Sequence, residues 1–181
     1  MKQNNPWKVQ QKRLIYDNPW IHVEEHQVLN PAGKPGIYGT VSFKNRAVAI
    51  VPLAENGDTW LVGQYRYPLD QYHWEIPMGG APHHEAPEQC ALRELKEETG
   101  LLAKQLQPLC HLHLSNSITD EEAFAFVATD LQQGETEFEE TEVITVRRLP
   151  FSDALAMALS GEITDAVSVA ALQRVRLLGI A

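Results

Sequence analysis

The feature that most narrows what this chain can fold into is the stretch GGAPHHEAPEQCALRELKEETGL, running from Gly79 to Leu101. Its middle reads as a helix over Pro87–Thr99. Pro87 suits a first helical turn, Glu88 suits the positive end of the helix dipole, and Gly100 suits the left-handed position after the last turn. On a wheel at ~100° per residue, Ala91, Leu92 and Leu95 fall on one side and are expected to pack against a sheet. Glu94, Glu97 and Glu98 share a neighbouring arc centred roughly a third of a turn away. The acids therefore flank the packed face. Arg93 sits at the edge of the acidic arc, placed to hold a carboxylate through a forked hydrogen bond.

Such crowding has a cost. Like charges at i,i+4 cost a few tenths of a kcal/mol when exposed, and more as water is excluded. Two arrangements tolerate it: the acids lie fully in solvent, or a hard cation neutralises them. Magnesium takes oxygen ligands, often one or two carboxylates, with water and substrate phosphate in its remaining positions.

The surroundings of this helix are β-rich. After a polar N-terminus, WIHVEEHQV (20–28), IYGTVSF (37–43), AVAIVPL (47–53) and TWLVGQYRY (59–67) read as strands, some of them separated by the turn-like NPAGKPG and ENGD. Beyond the helix, LCHLHLS (109–115), AFAFVAT (123–129) and VITVRRL (143–149) read as strands, and FSDALAMALSG and DAVSVAALQRVRLL as helices. Strands around one central helix, with more helices behind, predict a mixed α/β or α+β sandwich, of which α+β with a mixed sheet is the expected class. The acidic connection LQQGETEFEETE (131–142) is long for a simple link.

Composition limits the partners. With 181 residues there is room for one full core and a small appendage. A formal net charge of −9 argues against a nucleic-acid backbone or an anionic membrane, both of which want a basic face. Cys90 and Cys110 lie in different segments without metal-ligand spacing, no segment has the ~20 apolar residues of a membrane span, and the start MKQNNPWKVQ is polar. These features predict a cytoplasmic protein. The histidine pairs His83/His84 and His111/His113 do not have a spacing that requires them to converge on zinc.

The spacing of the whole helix segment resembles the signature of the nudix hydrolase family: Gly79, five residues, Glu85, seven residues, Arg93-Glu94-Leu95, one residue, Glu97-Glu98, one residue, Gly100-Leu101. The seven glycine, glutamate and arginine identities alone, at ~5–7% usage each, would coincide by chance about once in a million chains of this length or more rarely. The resemblance implies an α/β/α sandwich, and a hydrolase that attacks a nucleoside diphosphate linked to another group. It implies Glu94 and Glu98 as the main Mg2+ ligands (Mn2+ as an alternative), and Glu97 as a ligand or close neighbour with a catalytic part. The carbonyl of Met78 is a further implied ligand. Arg93 and Glu85 are implied to orient the cluster, with Gly79 and Gly100 as structural positions.

Other segments resemble the ADP-ribose pyrophosphatase and nucleoside diphosphate sugar hydrolase subgroup. VGQYRYPLDQYHWEIPMGG (62–80) is similar to the approach to the motif there, which implies substrate contacts for Arg66 and Glu75. HLHLSNSITDEEAFAF (111–126) matches at Asp120 and Glu121, the latter an implied substrate contact. It departs where Asn116 and Ser117 replace a proline and a glycine, which leaves room for nucleotide sugars other than ADP-ribose. In EETEV, Glu140 matches the general base and Glu142 a further metal ligand, with Glu139 and Glu137 as rivals for the base. Residues 1–45 resemble the β-extension through which subgroup members form homodimers, with residues 46–181 as the hydrolase domain. Trp20 and Tyr38 are implied to stack on a nucleobase. Two further activities stay open, on GDP-mannose and on modified nucleoside triphosphates, as does a catalytically silent ligand sensor.

Overall fold

The structure, a computed structural model, describes residues 4–136 and 143–181. The chain forms two compact units. One comprises the residues up to Asn45 together with His113–Glu122; the other comprises Arg46–Leu112 with Ala123–Ala181.

The first unit is an antiparallel sheet of β1 (Lys8–Asp17), β2 (Ile21–Leu29) and β3 (Pro35–Phe43), in that order. The β2–β3 turn follows from Asn30, whose side chain accepts from the backbone N–H groups of Ala32 and Lys34, and from Gly33 at φ +76°. Strand β1 lies in what the sequence presents as a polar N-terminus. Every residue of it is exposed, so it carries no alternation to reveal it. Pairing with β2 holds it, helped by surface ion pairs such as Arg13–Glu25 at 3.0 Å. Val41 donates its N–H to Ile118 O, and Asp120 Oδ1 accepts from Phe43 N–H, which ties the 113–122 segment to this sheet.

The second unit contains two sheets. In the four-stranded one, β7 (Met78–Pro82), β4 (Asn45–Pro52), β9 (Glu122–Gln133) and β8 (Leu101–His113) lie side by side, with β4 parallel to β9. Val48 to Val51 are buried without a break, as expected of a parallel strand covered on both faces. The three-stranded sheet has the order β10 (Thr145–Pro150), β5 (Asp58–Arg66), β6 (Gln71–Glu75) and is antiparallel. Three helices complete the α+β fold: α1 (Pro87–Thr99), α2 (Phe151–Ser160) and α3 (Ala166–Leu177). Helix α1 packs on β7 and β5, while α2 packs on α3, β10 and β5.

Helix α1 has the boundaries its sequence signals. Pro87 opens it and Gly100, at φ +72°, closes it by donating its N–H to Lys96 O at 2.8 Å. Cys90, Ala91 and Leu95 join Val48, Ile50 and Phe126 in one apolar cluster. Leu92 does not: it is 42% exposed, because the buried stripe runs through positions 90, 91, 94, 95 and 98 and turns Leu92 outward. The carboxylates at 94 and 98 thus take part in the packed face that the wheel assigns to leucine.

Candidate active site

Strand β7 and α1 position the acid cluster. Within it Arg93 holds three carboxylates where the sequence suggests one. Its Nε and Nη2 donate to the two oxygens of Glu85 at 3.1 and 3.0 Å, a fork-to-fork pair. Its Nη1 donates to Glu94 Oε1 at 2.7 Å and to Glu97 Oε2 at 2.9 Å, and Nη2 also reaches Gly80 O at 3.3 Å. Glu98 accepts at Oε2 from the backbone N–H of Met78 at 2.9 Å. One side of the cluster is therefore bound to the β7 backbone and the other to Arg93.

Burial makes the arrangement costly by itself. Glu98 is 1% exposed and Glu94 8%, so two carboxylates sit where ionised groups pay heavily for lost hydration. Three acids, Glu85, Glu94 and Glu97, share the Arg93 guanidinium. Its hydrogen bonds hold the Glu85 carboxyl below its ordinary pKa, and Arg93 in turn stays charged more firmly than a free arginine, chiefly through Glu85. Gly79 matters sterically: a Cβ there would overlap the Glu94 carboxylate, so only glycine leaves that acid its place. A set of carboxylate oxygens gathered on one helix, two of them buried, fits a hard divalent cation. Glu94, Glu97 and Glu98, with Met78, whose N–H meets Glu98, are the residues that would hold it.

Cys90 also belongs to this neighbourhood, which its spacing does not disclose. Its Sγ lies 3.9 Å from Glu94 Oε1 and accepts from Arg93 Nη2 at 3.3 Å. Burial first, and then the charge of Glu94, pushes the thiol up to about 12.

Arg66 and Glu75 come together across the β5–β6 pair as a forked ion pair, Nε to Oε1 at 2.9 Å and Nη2 to Oε2. Glu75 is buried and engages two of the five donors of Arg66. The Arg66 pKa is raised mainly by Glu75, with Asp165 and Glu98 also favouring its charged form. Arg66, Leu69, His73, Glu75 and Asp165 line a cavity of about 220 Å³. The residues from α3 are not apparent from the motif alone. Asp165 caps the helix by accepting from Ser168 N–H at 2.7 Å, and the buried Ser168 Oγ accepts from Ile76 N–H at 3.0 Å. The run Asp165-Ala-Val-Ser168 is the signal that could have located them.

The other expected contacts belong to the first unit. Trp20 is 67% exposed in the turn before β2. Tyr38, on β3, donates its hydroxyl to Ser117 O at 2.5 Å and meets Trp7 edge-on at 5.2 Å. Glu121 is half-buried, its carbonyl accepting from Leu114 N–H at 2.9 Å. Glu140 and Glu142, with the rivals Glu137 and Glu139, lie outside the described residues. Among the described residues no helix is long and apolar enough to cross a membrane.

Comparison with known proteins agrees with this geometry. Residues 43–172 match the NUDIX domain family, and residues 7–41 match the nucleoside diphosphate sugar hydrolase N-terminal domain. Among curated proteins the chain is similar to the ADP-ribose pyrophosphatase of Bacillus subtilis, with 33% identity over 92% of this chain and 90% of the relative. It is also similar to the GDP-mannose pyrophosphatase of Yersinia enterocolitica, with 31% identity over 75% of each. A crystal structure of an ADP compounds hydrolase superposes with a TM-score of 0.87 over 98% of this chain and 96% of that one; at 24% identity it speaks for the fold. The match over residues 43–172 defines a hydrolase domain of a class that generally needs a divalent metal. The chain belongs to the nudix family.

Proposed function

We propose that this protein hydrolyses the pyrophosphate bond of a nucleoside diphosphate sugar, ADP-ribose being the first substrate to try, to a nucleoside monophosphate and a sugar phosphate. The observation that carries this reading is the buried acid cluster on α1, with Glu98 tied to the Met78 N–H and Glu94 and Glu97 tied to Arg93. Mg2+, with Mn2+ as the alternative, is the proposed ion; bound there, it would offset charge on the diphosphate oxygens and lower the pKa of a coordinated water.

The chain's own residues divide the remaining work. Glu85 and Arg93 keep Glu94 and Glu97 oriented in advance, so that no side chain must reorganise when substrate arrives. Glu75 fixes the guanidinium plane of Arg66, which can then meet the diphosphate with its outer N–H groups. Glu140 is the proposed general base and Glu142 a further ligand, both on the strength of the resemblance of EETEV to the subgroup. Trp20, Tyr38 and Glu121 are proposed substrate contacts. A homodimer is proposed on the resemblance of residues 1–45 to the subgroup's β-extension, and a cytoplasmic location on the two cysteines lying in different segments.

GDP-mannose is the second reading. The Yersinia relative favours it, and Asn116 and Ser117, where the subgroup has proline and glycine, leave room for nucleotide sugars other than ADP-ribose. A panel of nucleotide sugars with Mg2+, coupled to a phosphatase so that phosphomonoesters are read as inorganic phosphate, tests both. Turnover of ADP-ribose well above that of GDP-mannose is expected. Preference for GDP-mannose would replace the first reading with the second, and absence of turnover on every nucleotide sugar would overturn both.

A further inference from the structure

We infer that Arg46, outside the signature motif, is a positioning residue that holds the metal-site loop from its far side. Its Nη2 donates to three carbonyl groups of the loop leading into α1: Pro82 O at 3.3 Å, His83 O at 3.5 Å and Glu85 O at 2.6 Å. The guanidinium lies over the Phe124 ring, 6.0 Å from its centroid, so one face rests on an apolar support. Arg46 stands at the start of β4 and Phe124 near the start of β9, paired parallel strands, and a rigid sheet therefore anchors the clamp.

The importance of the contact lies in what Glu85 does. Its carbonyl is held by Arg46, while its carboxylate is held by both arms of Arg93. Arg93 in turn fixes Glu94 and Glu97. Two arginines thus grip the 80–85 loop from opposite ends of one glutamate, Arg93 also reaching Gly80 O. Helix α1 has no side-chain cap at Ala86, so the turn before it lacks the usual local support. Arg46 donates to carbonyls of that turn, adding to its backbone bond from Glu85 N–H to Pro82 O at 2.9 Å. Its Nε is buried without a hydrogen-bond partner among the described residues, a cost that a neutral side chain would not incur. An arginine kept there at such a cost is explained by its Nη2 contacts. It would act on a bound ion only through Glu85 and Arg93. That places it further out than groups that hydrogen-bond a ligand directly, which typically change metal affinity or activity about 10- to 100-fold, so the lower end of that range is expected.

The inference concerns how the acid cluster is held and does not depend on which nucleotide sugar is hydrolysed. Its test is amide hydrogen exchange on the metal-free protein together with Mn2+ binding followed by electron paramagnetic resonance, neither of which needs substrate. Arg46→Met is expected to speed exchange selectively in residues 80–86 and to weaken Mn2+ binding about tenfold. Arg46→Lys, which keeps a charge and three donors, should recover most of the Mn2+ affinity. Should Arg46→Met not fold, Arg46→Gln is read in the same two assays. Unchanged exchange in 80–86, Mn2+ affinity within twofold of the parent, or exchange that rises equally in β4 and α1 would each overturn the positioning role.

Discussion

Gly79→Ala is a sharp perturbation of this site because it adds one methyl group and removes nothing. The new Cβ would fall on the Glu94 carboxylate, so one of the two must move. Glu94 has little freedom: it is 8% exposed, Arg93 Nη1 holds Oε1 at 2.7 Å, and the Cys90 sulfur flanks the same oxygen at 3.9 Å. If Glu94 yields, a charge-assisted hydrogen bond worth about 1.5–3 kcal/mol is weakened, and a proposed metal ligand shifts by about 1 Å. A displacement of that size is enough to cost roughly 100-fold in rate, or about 2.7 kcal/mol of barrier. Steady-state hydrolysis of ADP-ribose at saturating Mg2+ is the assay. Gly39→Ala is the control, since an added Cβ there meets nothing within 4 Å. We expect kcat/KM to fall by about 100-fold for Gly79→Ala and to stay close to the parent for Gly39→Ala. A Gly79→Ala enzyme within threefold of the parent would refute the claim that this glycine makes room for Glu94.

Arg66→Lys removes the fork that meets both Glu75 oxygens while keeping the charge; KM for the nucleotide sugar should rise about tenfold with a smaller change in kcat, as steady-state kinetics will register. The Cys90 thiol, buried and pushed up to about 12, should resist Ellman's reagent at pH 8 in the folded protein and react at once in guanidinium. Because its folded pKa lies above the ordinary 9.0, the neutral thiol's contribution to stability is complete below pH 9 and is lost as pH rises towards 12. Thermal unfolding of the parent should therefore show a decline over that window that is smaller in Cys90→Ala, where the raised Tyr65 and Cys110 remain.

Much of the second unit could be read in advance because its signals are local. Pro87 and Gly100 bound α1 as expected, and the apolar run Val48–Val51 marks a strand covered on both faces. The acid cluster was legible too, since its members are fixed by spacing on one helix. Three things were not. Strand β1 has no buried face and is held by pairing alone, which leaves no periodicity to detect. The short strands β6 and β7, Gln71–Glu75 and Met78–Pro82, contain too few residues to show a period. The supporting contacts from Arg46 and Ser168 are separated from their partners by 39 and 92 residues, for Glu85 and Ile76 respectively, and only the folded chain brings them together. Leu92 is an instructive miss, because the wheel assigns hydrophobic residues to the buried side while burial here also takes in Glu94 and Glu98.

The central claim is that two buried carboxylates on α1 persist because a divalent ion occupies them and in turn grips a diphosphate. Titration calorimetry of Mg2+ and Mn2+ into the parent and into Glu98→Gln, each with and without a non-hydrolysable ADP-ribose analogue, tests it directly. Glu98→Gln keeps an acceptor for the Met78 N–H but loses the charge. The parent should take up the ion, and take it up more tightly with the analogue present, while Glu98→Gln binds at least tenfold more weakly. Equal uptake by the two proteins, or none by the parent with the analogue bound, would contradict the account.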